Sequence, residues 1–136
     1  MPDSRVVVDA SVAIRAVAQQ QEDALEWLSR IAAGGVRAMW PQLAFAEIAN
    51  GLATLVRTGW LAAAEGSEGL RRALALPIEP YSLELLAEPA LAVALDRSVS
   101  ASDACYIVLA EVGGATLLTA DRKLAGATDN AVLLSA

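Results

Sequence analysis

The three valines of Arg5-Val6-Val7-Val8, closed at once by Asp9, constrain this chain more than any other feature. A run this short and wholly apolar suits a strand covered on both faces, because a strand with one wet face alternates apolar and polar residues. Such a strand needs helices above and below it, and the rest of the chain supplies them. Ala10 to Ala18 reads as helix. Asp23 to Ala33 reads as a second, with Leu25, Leu28, Ile31 and Ala32 at helical spacing and Gly34-Gly35 to stop it. Val36 to Trp40 is a short strand stopped by Pro41. Gln42 to Arg57 is a long helix with Phe45, Ile48, Leu52, Leu55 and Val56 on one side, broken by Thr58-Gly59. Leu61 to Leu76 holds another helix, interrupted or capped around Gly66 and Gly69. Pro77 to Pro80 is extended. Ser82 to Asp96 is helical, with Pro89 opening or kinking its second half. Ser100 to Val112 is helical up to Gly113-Gly114. Ala115 to Thr119 is an apolar strand, Asp121 to Leu124 a short helix ended by Gly126, and Val132 to Leu134 a last strand. Thirty alanines favour the helices. The pattern predicts an α/β fold of three α/β/α layers, a short-stranded parallel sheet flanked by helices. At 136 residues, a single domain over 1–136 is expected.

Composition removes several chemistries. There is no histidine and one cysteine, Cys105. This excludes His-based triads, intrachain disulfides and Cys-based zinc clusters, and leaves carboxylates, hydroxyls, Lys and Arg. Cys105 itself lies in an apolar helix and reads as a small core residue. The net charge of −6 disfavours non-specific coating of nucleic acid, without excluding a small metal-assisted contact with RNA, and suits a basic protein partner. No uncharged run exceeds nine residues, so no membrane span is expected. Met1 to Ser4 followed by Arg5 shows no leader pattern, and a soluble cytoplasmic protein is expected.

Most of the sixteen acids fall beside polar or basic neighbours and read as solvated charge. Four sit in apolar surroundings: Asp9 in VVVDAS, Glu47 in LAFAEIAN, Asp103 in SASDACYIVLA and Asp121 in LLTAD. Singly, Asp9 and Asp121 could be N-caps, Ser100 with Asp103 a capping box, and Glu47 part of a polar helix stripe. Together, all four fall where a doubly wound sheet gathers functional groups, beyond the carboxyl ends of its strands. Four carboxylates there repel one another unless a cation lies between them, and a hard divalent cation with oxygen ligands meets that need.

The segments VVVDAS, PQLAFAEIANGLATL and SASDACYIVLAEVGGATLLTADRKLAG resemble the PIN-domain family, and within it the VapC-type toxin ribonucleases of toxin–antitoxin pairs. The order carries the resemblance: an Asp ending strand one, an E-x-x-N helix, a D-A-x-Y-x-x-x-A helix and a T-x-D strand end. One departure is Leu124, where the family usually has an aromatic; it is expected to touch packing rather than chemistry. The resemblance implies an Mg²⁺-dependent endoribonuclease, with Mn²⁺ able to substitute, leaving 5′-phosphate and 3′-hydroxyl ends. On this basis Asp9, Asp103 and Asp121 are expected to hold metal directly or through water. Glu47 is expected to complete the cluster and orient or deprotonate the attacking water. Thr119 and Ser11 are candidates for holding the carboxylates. Arg122 and Lys123, then Arg15 and Arg57, are candidates for phosphate contacts. The family also implies a cognate antitoxin whose tail fills the groove, and a homodimer.

Rival α/β phosphotransfer folds fit less well. A receiver domain needs an acidic pair by strand one and a Lys after strand five, and a haloacid-dehalogenase-like phosphatase needs D-x-D where Asp9-Ala10-Ser11 stands. A non-toxin PIN nuclease and a catalytically silent PIN-like binding module remain as alternatives. Trp40 and Trp60 are expected in core or interface packing rather than base stacking, and Asp96 and Asp129 at the surface.

Overall fold

The computed structural model describes residues 4–134, so the leader-free reading of Met1 to Ser4 lies outside it except for Ser4. These residues form β1 (Arg5–Val8), α1 (Ala10–Gln19), α2 (Glu22–Ala32), β2 (Arg37–Pro41), α3 (Leu43–Arg57), α4 (Ala63–Leu74) and β3 (Ile78–Tyr81). After these come α5 (Leu83–Arg97), α6 (Ala101–Gly113), β4 (Thr116–Thr119), α7 (Arg122–Ala125) and β5 (Ala131–Leu133). All five strands pair in parallel in the order β3-β2-β1-β4-β5. The three valines of β1 are at the centre, Val7 and Val8 fully buried, with Val7 opposite Leu117 and Val8 opposite Leu118. Helices α1 to α4 pack on one another; α5 packs on α6, and α6 lies along β1, β2 and β4. Because β2 and β4 flank β1 on opposite sides, chain direction across the sheet reverses there. The crevice at such a reversal is where open α/β sheets bind ligands.

Several boundaries differ from those read in the sequence, each for a physical reason. Pro41 does not stop β2 but is its last residue, paired with Tyr81. The β1 pairing ends at Met39, and the Gln42 amide already reaches the Tyr81 carbonyl, so the missing proline N–H breaks no ladder bond. The extended piece Pro77 to Pro80 proves to be a sheet strand, shifted to Ile78–Tyr81. Gly66 and Gly69 do not interrupt α4; both are buried within it. A Cβ on Gly66 would stand 3.0 Å from a Val56 methyl, and one on Gly69 3.4 Å from a Val17 methyl, so the glycines let α4 lie close against α3 and α1. Pro89 leaves α5 unbroken. The carbonyl it deprives is that of Leu85, an exposed residue whose carbonyl can turn to water. In α2 the buried face is Ala24, Leu28 and Ile31; Leu25 and Ala32 face outward.

Trp40 is buried and meets Phe45 edge to face at 5.7 Å. Trp60 is 78% exposed in the α3–α4 turn, which corrects any core assignment for it. Cys105 is buried, and Asp96 and Asp129 are exposed. Arg97 ties the end of α5 to Glu111 of α6 through two bonds of 2.8 and 2.9 Å, and to the Ala127 carbonyl. Among the described residues no helix is long and apolar enough to cross a membrane.

Leu124 is fully buried and anchors the single turn of α7 behind Asp121. Leu124→Ala is expected to destabilise the protein by about 2–5 kcal/mol, read from urea unfolding. A loss below about 1 kcal/mol would contradict the anchoring role.

Candidate active site

The site begins with Asp9. Its backbone amide continues the sheet by donating to the Leu118 carbonyl at 2.9 Å, which holds its side chain at the junction of β1 and β4. Although Asp9 precedes α1 in the N-cap position, its carboxylate caps nothing. It is 8% exposed, and apart from Tyr106, Trp40 and Cys105 the buried side chains with polar or charged groups among the described residues are Asp9 and Thr119. They bond each other: Thr119 Oγ1 donates to Asp9 Oδ2 at 2.8 Å, and Ser11 Oγ donates to the same oxygen. Each hydroxyl also accepts a backbone amide, Ser11 from Ala120 and Thr119 from Asp121, both at 3.0 Å. A hydroxyl has one proton, so accepting from the amide aims that proton at Asp9. The turn after β4 thus orients two donors on the carboxylate at the end of β1.

The other three acids reach the same edge from separate elements. Asp121 caps α7 through Oδ1, which accepts from the Lys123 amide at 2.9 Å and the Leu124 amide at 3.4 Å. Its N-cap role is therefore real, and its side chain remains exposed. Asp103 sits in the first turn of α6, where its amide donates to the N-cap hydroxyl of Ser100 at 3.0 Å. Glu47 lies in the second turn of α3, partly buried.

The four form one electrostatic group. Burial pushes the Asp9 carboxyl above its ordinary range against the pull of Ser11 and Thr119, and the charges of Asp103 and Asp121 push it further. Burial raises Glu47 despite its bond from Tyr106, with Asp9 and Asp103 adding repulsion. Burial and Asp121 raise Asp103, while Lys123 and the Ser100 hydroxyl hold it down. Lys123 is therefore the cation of the candidate set that the cluster feels. Arg122 is exposed on α7 beside it. Arg15 lies six residues beyond Asp9, about 9 Å along α1, and is partly buried. Arg57 does not join the site: it ends α3 ten residues past Glu47, about 15 Å away, on the rim of the α3–α4 groove.

Tyr106 had been given no role in the sequence. It is fully buried, and its phenol donates to Glu47 Oε1 at 2.7 Å. The signal was its spacing: three residues after Asp103, it falls on the same side of α6.

The donor set consists of carboxylate and hydroxyl oxygens, the chemistry of a hard divalent cation. Among the described residues no group of three Asp, Glu or Cys side chains stands close enough to hold a metal ion directly. Mg²⁺ keeps several waters, through which carboxylates at longer range can hold it, so the oxygen donors here suit that ion.

Residues 6–129 match the PIN domain family. Ribonuclease VapC3 of Mycobacterium tuberculosis is 32% identical over 132 residues, covering 96% of this chain and 92% of that protein. The crystal structure of PAE2754 from Pyrobaculum aerophilum superposes with a TM-score of 0.72 at 26% identity, over 94% of this chain and 82% of that one. A toxin–antitoxin complex from Klebsiella pneumoniae has a chain of the same fold, with a TM-score of 0.69 at 16% identity over 93% of this chain and 95% of that one. The family match spans nearly the whole chain and the curated relative aligns end to end with it: this chain belongs to the PIN-domain family, among its VapC ribonucleases.

Proposed function

We propose that this chain is a VapC-type toxin, a metal-dependent endoribonuclease that hydrolyses RNA phosphodiester bonds, with Asp9, Glu47, Asp103 and Asp121 as its catalytic centre. One observation carries the reading: four carboxylates from four separate segments share one electrostatic environment at the β1–β4 crevice, the innermost buried and held by two oriented hydroxyls. Structural acids avoid such an arrangement, because each raises the free energy of the next. The RNA substrate comes from the relatives, which are named as ribonucleases.

The four acids would hold Mg²⁺ or Mn²⁺. Bound there, the cation supplies charge that acidifies water and offsets the negative phosphate. Ser11 and Thr119 keep Asp9 facing the crevice. Glu47 is the group placed to orient or deprotonate the attacking water. Water oxygen bonds to phosphorus, the P–O3′ bond breaks, and the departing 3′-oxygen takes a proton, leaving 5′-phosphate and 3′-hydroxyl ends. Lys123 and Arg122, which follow Asp121 directly, are the best placed for the RNA backbone.

The partner is a cognate antitoxin whose Arg or Lys side chains answer the acidic crevice; the Klebsiella neighbour is a toxin–antitoxin complex. A homodimer is the assembly we assign. Helix α5 turns Leu85, Leu91 and Leu95 to solvent at 76%, 56% and 77% exposure, an apolar strip that asks for cover. Residues 1–136 act as one PIN-like unit, working where its RNA is, in the cytoplasm.

Purified protein is expected to cut cellular RNA into discrete 5′-phosphorylated fragments with Mg²⁺ or Mn²⁺. Chelator should abolish cutting, and Asp9→Asn should reduce it to background. Thr119→Val removes one oriented donor and is expected to lower activity about 10–100-fold. Cutting that survives both chelator and Asp9→Asn would refute the assignment.

The raised carboxyls also make stability depend on pH. Between their unfolded pKa values, 3.8 for Asp and 4.5 for Glu, and their higher folded values, the native state holds more protons than the unfolded chain. Native stability is therefore lost as pH rises through that window. Near neutrality the repulsion is complete, and a cation bound to the native state alone should add about 2.7 kcal/mol at one hundred times its Kd. The rise in Tm on adding Mg²⁺ is expected to shrink as the solution is acidified toward about pH 4. A rise that did not change with pH would speak against carboxylate ligands.

A further inference from the structure

We infer that Tyr106 is a positioning residue, a buried strut that fixes the Glu47 carboxylate in the acid cluster by joining α6 to α3. The inference rests on the nuclease reading and names a residue outside the four acids.

The geometry is specific. Glu47 and Tyr106 are 59 residues apart, on helices from opposite sides of the sheet, and their 2.7 Å bond links the two at its carboxyl edge. The tyrosine ring has no freedom: it is 0% exposed, between Cys105 and Ile107 in a stretch of α6 that is buried from Ala104 to Ala110. The phenol also has a set polarity. The Glu47 carboxylate can only accept, so the bond fixes the phenol as its donor. The hydroxyl proton points to Glu47, as the protons of Ser11 and Thr119 point to Asp9.

Glu47 needs such a hold. It is a long side chain on a half-buried helix position, and the charges of Asp9 and Asp103 push it away from the crevice. Left alone it would relieve that repulsion by turning to solvent, its rotamers being separated by small energies. Tyr106 opposes the move with a rigid donor committed to one oxygen, Oε1. The arrangement parallels that around Asp9: each of the two most enclosed acids is held by a hydroxyl that donates to it.

The test is Tyr106→Phe, which keeps the ring in its cavity and removes only the hydroxyl. Crystal structures of the wild-type protein and the variant should show Glu47 beside the phenol in the first and turned outward in the second. An unmoved Glu47 overturns the inference, whatever the activity. In RNA cleavage with Mn²⁺, Tyr106→Phe should lower kcat about tenfold or more with KM within about twofold. Adding it to Glu47→Gln should then lower kcat no further. An equal loss in both backgrounds would show a general packing effect and overturn the inference. If the wild-type protein cuts no RNA with either metal, the nuclease reading falls, and the crystallographic comparison still decides whether Tyr106 holds Glu47.

Discussion

A carboxylate removed from water must be hydrogen-bonded, neutralised or both, and Asp9 is placed where neither comes from water. It follows the central strand, buried after its first residue, and has three further acids around it. Its donors are two hydroxyls that the backbone at Ala120 and Asp121 holds in one orientation. Much of the molecule can be seen as the means of keeping that turn in place. β4 lies in register against β1 as far as Leu118, α7 closes the turn under the Asp121 cap, and Leu124 pins α7 into the core. The site belongs to the joint between two parallel strands, and its residues cannot be moved one at a time.

That joint also shows what a sequence of this kind discloses. The parallel α/β architecture was legible in VVV before Asp9 and in ATLLT, because strands buried on both faces lose their polar alternation. Asp9 and Asp121 stood out as acids ending apolar runs, and Glu47 and Asp103 as acids in apolar helices. Other features were hidden because they are properties of contacts between elements. Gly66 and Gly69 look like helix breakers until the closeness of α4 to Val56 and Val17 is known. Pro41 looks like a strand stop until β1 is seen to end earlier. The outward turn of Leu25 depends on how α2 is rolled against the core, which Ala24, Leu28 and Ile31 satisfy as well. Tyr106 stands in the sequence only as the Y of the D-A-x-Y helix, since its hydroxyl acquires meaning only from Glu47, 59 residues away.

The acid cluster and the net charge of −6 set a balance between stability and chemistry. A fold selected for stability alone would scatter these carboxylates, as it does Glu68, paired with Arg71 and Arg72 on an exposed turn. Here they are concentrated against a core of valine, leucine and isoleucine that withstands the repulsion. Lys123 offsets a part of it. The remaining field favours a small multivalent cation and the basic side chains of a protein, and it resists bare RNA. A polyanion would meet that field as repulsion until its negative charge was answered.

The separation of Asp9 from its holders has a consequence for the making of the protein. Thr119 comes 110 residues after Asp9, and Asp121 two residues later still. While the chain is being synthesised, its first acid, its second and its third can all be present without either the Thr119 donor or the fourth carboxylate. A ribosome must complete nearly all of β4 and the turn beyond it before the crevice exists. Before that point the growing chain holds three of the four acids without the Thr119 donor, so the crevice is among the later features to form.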